Sequence, residues 1–112
     1  MLKALNENHL EKLKYLVDRY SISLEFKDNH GDTMLAKAAM KSQWNIVKYL
    51  CGQGANVNTT NIEGHTPLHY AVSFNSIAVI DTLIKYGASE NIKNNAGATP
   101  WEATEQWIER PQ

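Results

Sequence analysis

Gly64-His65-Thr66-Pro67-Leu68-His69-Tyr70-Ala71 is the stretch that decides the fold, because a version of it stands 33 residues to either side. Gly31-Asp32-Thr33-Met34-Leu35-Ala36-Lys37-Ala38 precedes it, and Gly97-Ala98-Thr99-Pro100-Trp101-Glu102-Ala103-Thr104 follows. The register extends beyond this phrase. Ile46-Val47 aligns with Val79-Ile80, Leu50 with Leu83, Gly54-Ala55 with Gly87-Ala88, and Asn58 with Asn91. A fixed internal period of this length is the signature of stacked repeats, each burying its apolar side against the next. Function is therefore sought on a surface assembled from several units rather than in a catalytic cleft.

The residues account for the pattern locally. Thr33, Thr66 and Thr99 are placed as N-caps, the hydroxyl accepting from a backbone N–H that the helix leaves unpaired. Pro67 and Pro100 follow at the first helical position, where a missing N–H costs nothing. The glycine two residues before each threonine suits a turn that needs positive φ. Gly54 and Gly87 follow apolar helices and read as C-terminal caps. Leu68, Ala71 and Val72 give one helix an apolar stripe, and Val79, Ile80, Leu83 and Ile84 give the next one theirs. The spacing predicts helices over 1–7, 10–20, 34–41, 44–52, 67–73, 77–86 and 100–109, with hairpins near 27–32, 60–65 and 93–98.

The middle copy, Thr66-Pro67-Leu68-His69-Tyr70-Ala71, resembles the ankyrin repeat signature T-P-L-H-x-A, and Ile46-Val47…Leu50…Gly54-Ala55-Asn56-Val57-Asn58 resembles its second half. The resemblance implies an all-α, helix-turn-helix solenoid with hairpin-like loops projecting roughly at right angles. It divides the chain into an N-terminal cap repeat (1–27), two full repeats (28–60 and 61–93) and a partial C-terminal repeat (94–112). In the first unit Leu10, Leu13, Leu16 and Val17 keep the stripe, while Glu7, Glu11, Lys12, Lys14, Asp18 and Arg19 are expected to give it the polar outer face of a cap. The resemblance also implies that His69 makes a structural hydrogen bond to neighbouring loop backbone or to the threonine hydroxyl. Ala36 and Glu102 stand at the equivalent positions, so their loops are expected to be tied less firmly.

Composition narrows the function. The 112 residues make one domain, 43% hydrophobic, with a formal charge of −1 from 11 basic and 12 acidic residues. No overall field draws it to nucleic acid or anionic lipid. Nucleic-acid binding would need a basic stripe, yet Lys27, Lys37, Lys41 and Lys93 are interspersed with Asp32 and Glu63. No apolar run approaches the ~20 residues that span a bilayer, and the start lacks a signal-peptide core. The single cysteine, Cys51, suits a reducing compartment and reads as a small buried hydrophobe. A cytoplasmic or nuclear protein is the expectation, with secretion as an effector left open. Eleven asparagines are scattered over loops and helix ends, and the sequence assigns them no role.

Candidate chemistry is sparse. His65 and His69 are four apart, but Thr66 and Pro67 start a helix between them, so they do not share the helical face a metal pair requires. Cys51 lies within an apolar helix rather than at an electropositive helix start. No serine sits in a nucleophile elbow, and Gly52-Gln53-Gly54 lacks the features of a phosphate loop. No catalytic, cofactor or metal residues are assigned, and no small-molecule substrate is expected.

Recognition of a partner protein remains, as adaptor, scaffold or stoichiometric regulator. The resemblance implies a concave surface made by hairpin tips and by the inward face of each repeat's first helix. Carried onto this chain, the expected contacts are Asn29, His30, Asp32, Ile62, Glu63 and His65 at the tips. On the inner helices they are Met40, Lys41, Tyr70, Ser73, Phe74 and Trp107. Tyr70, Phe74 and Trp107 form an expected aromatic ridge, aromatic side chains being common energetic anchors. At the C-terminal end three readings stay open: Trp101, Trp107 and Ile108 seal the edge around Phe74, Ile77 and Ile84, the chain is an excerpt of a longer array, or a partner or second copy closes it. A monomer is the simplest expectation.

Overall fold

The structure is a computed structural model that describes residues 2–103, with side chains from residue 10 onward. Five helices follow one another: α1 (Leu2–Tyr20), α2 (Met34–Met40), α3 (Trp44–Gly52), α4 (Pro67–Ser73) and α5 (Ile77–Lys85). A further helix begins at residues 100–103, and no strand occurs among the described residues. α2 packs on α3 and α4, α3 on α5, and α4 on α5. The result is two antiparallel helix pairs stacked side by side, drawn out into a body of 50 × 28 × 27 Å.

The sequence signals act where they are placed. Thr33 and Thr66 have extended backbone, and their hydroxyls accept from the N–H groups of Ala36 and His69, each starting a helix. α2 and α4 end at residues in the left-handed region, Ser42 (φ 56) and Asn75 (φ 55). Their N–H groups donate to the carbonyls of Ala39 and Val72, and the following N–H groups of Gln43 and Ser76 reach back to Ala38 and Ala71. Two residues later the next helix begins, so each pair turns back tightly on itself.

The core lies between the pairs. Leu35, Val47, Leu50, Leu68, Val79 and Leu83 are almost wholly buried, with Ala38, Ala39 and Ala71 between them. Alanines at these crossings let α2 and α4 approach closely. A lone unit could not shelter these leucines, because they belong to one cluster drawn from both pairs.

The first unit differs from expectation. Residues 2–20 are one continuous helix rather than two, because Asn8 and His9 are weak helix formers but not breakers, and no Gly or Pro interrupts the run. It ends at Ser21 (φ 51), which takes the place held by Gly54 one period later. Leu10 and Leu13 pack against the core. Leu16 does not: it is 41% exposed, beside Tyr15 and Tyr20. Six residues on from Leu10, it lies about 120° around the helix from the buried face.

Candidate functional site

The hairpins are built on a second period that the glycines and threonines obscure: Asp28, Asn61 and Asn94, also 33 apart. Asp28 Oδ1 accepts from the N–H groups of His30 and Asp32, both at 2.9 Å. Asn61 Oδ1 accepts from Glu63 and His65, both at 2.9 Å. Asn94 Oδ1 accepts from Ala96 and Ala98, both at 3.0 Å. One short side chain thus satisfies two loop donors, which is why Asp or Asn is required there.

The tips are then tied to one another. The Ile62 N–H donates to the His30 carbonyl (3.0 Å) and the Asn95 N–H to that of Glu63 (2.9 Å). Asn95 Nδ2 donates to the Ile62 carbonyl at 2.9 Å, and Lys27 Nζ to that of Thr60 at 3.0 Å. On the other side of the loops, Asn58 Oδ1 accepts from the Ser89 N–H (2.8 Å), while Glu25 Oε2 accepts from Asn56 (3.0 Å) in the same manner one unit earlier. The asparagines are therefore the fasteners between units.

Between the first two hairpins and α2 and α4 opens a groove of about 440 Å³, lined by Asp28, His30, Asp32, Lys37, Met40, Lys41, Asn61, Ile62, Glu63 and Tyr70. A polar triad holds its floor. Tyr70 Oη accepts from Asn61 Nδ2 at 2.7 Å and donates to Asp32 Oδ1 at 3.3 Å, and Asn61 Nδ2 also reaches Asp32 Oδ1 at 3.0 Å. Burial, and next the Asp32 charge, push the Tyr70 hydroxyl up to about 12. At one wall Lys37 Nζ pairs with Asp28 Oδ2 at 2.8 Å. That hydrogen bond, with those from the Asp32 and His30 backbone, holds the Asp28 carboxyl down at about 2.

Of the residues expected from sequence, His30, Asp32, Met40, Lys41, Ile62, Glu63 and Tyr70 line this groove. Ile62 stands 65% exposed at its rim, while Asp32 is only 6% exposed and points inward rather than off the tip. His65 is also not a free tip residue. It is half-buried, its ring 5.3 Å from that of His69 and 5.7 Å from that of Tyr70. Asn29, Ser73 and Phe74 are exposed outside the groove, Phe74 as the C-cap of α4, and Trp107 lies outside the described residues. The expected ridge therefore has Tyr70 in the groove and Phe74 out of it. Asp28 and Asn61 were missed, although their shared period with Asn94 was available as a signal.

His69 ties the second full repeat to the third hairpin. Its Nδ1 accepts from the Thr66 N–H (3.0 Å) and contacts Thr66 Oγ1 (2.9 Å), and Nε2–H donates to the Ala98 carbonyl (3.0 Å). The imidazole is thereby fixed as the neutral tautomer protonated at Nε2. At the equivalent position Glu102 Oε1 accepts from the Thr99 N–H (3.0 Å), reproducing half of this arrangement. Ala36 reproduces none of it. On the opposite edge Trp44 Nε1 donates to Thr82 Oγ1 at 2.9 Å, Lys48 Nζ sits 4.0 Å from the Trp44 ring centre, and the Ser42 and Ser76 hydroxyls are hydrogen-bonded. The Trp44–Thr82 and Ser42–Ser76 hydrogen bonds join adjacent helix pairs, while Lys48 and Trp44 share α3. Cys51 is buried, and burial pushes its thiol up to about 11. No group of three or more His, Cys, Asp or Glu side chains among the described residues could hold a metal ion, and no described helix is long and apolar enough to cross a membrane.

Comparison with known proteins agrees with this architecture. A family model for ankyrin repeats in three copies matches residues 1–94. The chain is 31% identical over 100 residues to an ankyrin repeat protein of Variola virus, covering 88% of this chain and 18% of that protein. It is 43% identical over 75 residues to a putative ankyrin repeat protein of Fowlpox virus, covering 62% of this chain and 22% of the relative. It is 27% identical over 109 residues to the E3 ubiquitin-protein ligase Ufd4 of Drosophila melanogaster, covering 97% of this chain but 4% of the ligase. The chain thus spans less than a quarter of the length of each of these relatives.

Proposed function

The chain belongs to the ankyrin repeat family, whose repeats are in general non-enzymatic protein–protein interaction modules, and we propose that it binds a partner protein through the groove between its first two hairpins. In this reading it acts as an adaptor, scaffold or stoichiometric regulator. The supporting observation is the groove itself. Its apolar residues, Met40 on α2, Tyr70 on α4 and Ile62 on the second hairpin, come from two different repeats whose hairpins are hydrogen-bonded to each other. Ile62 carries most of the weight. An isoleucine 65% exposed on a tip contributes nothing to its own core, and Asn29 and Asn95 occupy its place in the neighbouring units. A loop already held in place by hydrogen bonds loses little backbone freedom on binding.

Ile62→Asp tests this reading. The expected result is capture of a partner from lysate by the original chain and loss of that capture by the variant, with an unchanged melting transition. A contact at the centre of an interface should lose at least ~2 kcal/mol, about 30-fold in affinity. Undiminished capture by Ile62→Asp would show that the partner docks elsewhere.

A further inference from the structure

We propose that the groove receives an arginine side chain of a partner protein, its guanidinium directed to Asp32 and Glu63 and its stem lying over Met40 and Ile62. This rests on the reading of the groove as a protein contact and names the chemistry it selects.

The inference starts from the charges. Lys37 neutralises Asp28 at 2.8 Å, which leaves Asp32 and Glu63 against Lys41 among the charged residues that line the groove. Asp32 is the unusual one. It is 6% exposed, yet no Lys or Arg pairs with it among the described residues. Both of its side-chain hydrogen bonds, from Asn61 and Tyr70, fall on Oδ1. Oδ2 takes none from the described residues and is not fully sealed from solvent, and Asp32 lines the groove. A nearly buried carboxylate with one free oxygen, in a pocket open to solvent, is stabilised by a cation brought from outside.

Glu63 adds a second carboxylate on the rim; among the described residues no Lys or Arg pairs with it, and the His65 imidazole stands at 3.7 Å. Tyr70, Met40 and Ile62 line the same groove. That combination suits arginine: its stem covers apolar surface, its planar head stacks on an aromatic face, and its fork of donors can serve two carboxylates. A lysine would bring the charge without the planar fork. Lys41, at the α2 end, disfavours a run of basic residues, so a single arginine fits better than a polybasic segment.

The test displays a library of random peptides to the complete 112-residue chain and synthesises the strongest binder with its arginine intact, replaced by lysine, and replaced by citrulline. Citrulline keeps the shape and removes the charge. The expected result is enrichment of arginine-containing peptides, at least ~10-fold weaker binding with citrulline, and a similar loss with Asp32→Asn. Glu63→Gln should lose less. Asp32→Asn keeps an acceptor for Asn61 and Tyr70, and its melting transition is measured alongside; Glu63→Gln serves as the second variant if that transition falls. Enrichment of acidic peptides, equal affinity for citrulline and arginine, or no enrichment at all would overturn the proposal. Loss of binding with Ile62→Asp but not with Asp32→Asn or Glu63→Gln would overturn the arginine and leave the groove as the contact. Binding that survives all three variants would overturn both.

Discussion

His69→Ala should destabilise the protein by about 3 kcal/mol, lowering the melting temperature by at least ~10 °C. The imidazole is 3% exposed and connects two groups far apart along the chain, the Thr66 N–H three residues before it and the Ala98 carbonyl 29 residues after it. Alanine removes the partner of both, and each orphaned buried group costs roughly 1–3 kcal/mol. The third hairpin also loses its tie to α4. A differential scanning measurement on the variant checks this, and a shift under ~3 °C would mean that the hairpin is held chiefly by its own Asn94 turn.

The same side chain predicts a pH dependence with a definite sign. Burial, and to a smaller degree the neighbouring His65, lower the His69 pKa below its ordinary value of 6.5, against an opposing contribution from the Ala98 carbonyl. The unfolded chain therefore takes up a proton before the folded one does. Stability from this group is complete above about pH 6.5 and declines as the pH falls from there toward the folded pKa. The geometry gives the reason: a proton on Nδ1 would face the Thr66 N–H that now donates to it. Thermal midpoints measured from pH 7.5 to 5 should fall more steeply for the original chain than for His69→Gln.

Gly64→Ala should be at least as damaging, at about 3–4 kcal/mol, while Gly97→Ala should cost only about 1 kcal/mol. Both glycines have positive φ, +81° and +85°, so the backbone strain of alanine is common to the two. The surroundings differ. A Cβ on Gly64 would lie 2.7 Å from Asn95 Oδ1, 2.8 Å from Asn95 N and 3.0 Å from Asn94 Cα, whereas one on Gly97 would meet nothing within 4 Å. Two of those atoms are backbone and cannot swing aside. The third hairpin must retreat, breaking the Asn95 bonds to Glu63 and Ile62. Urea unfolding of the two variants separates the effects, and equal losses would mean that the hairpins can slide apart without cost.

The parts legible in the sequence were those set within a few residues of chain. Thr66 caps α4 because its own hydroxyl reaches an N–H three residues on, and α4 ends at Ser73 as its stripe and the following turn require. Gly54 stands at φ 92, in the left-handed region its place after α3 demands. Leu16 misled because the stripe was counted without fixing the axis of one continuous helix. Asp32 misled because a charged residue beside a hairpin glycine ordinarily faces water. Its inward turn depends on Asn61 and Tyr70, 29 and 38 residues away. Phe74 shared a repeat position with Lys41, yet as the C-cap of α4 it leaves the groove.

The sequence by itself determined the repeat, its caps, its helix pairs and the apolar stripes that make those pairs stack, because each is a local preference written again every 33 residues. Only the tertiary structure decided which asparagines fasten one hairpin to the next, which carboxylate is buried with a free oxygen, and that the two full repeats enclose a groove. Those outcomes depend on side chains that meet only after the units have docked. A hydrogen bond across that gap has no trace in the order of residues along the chain.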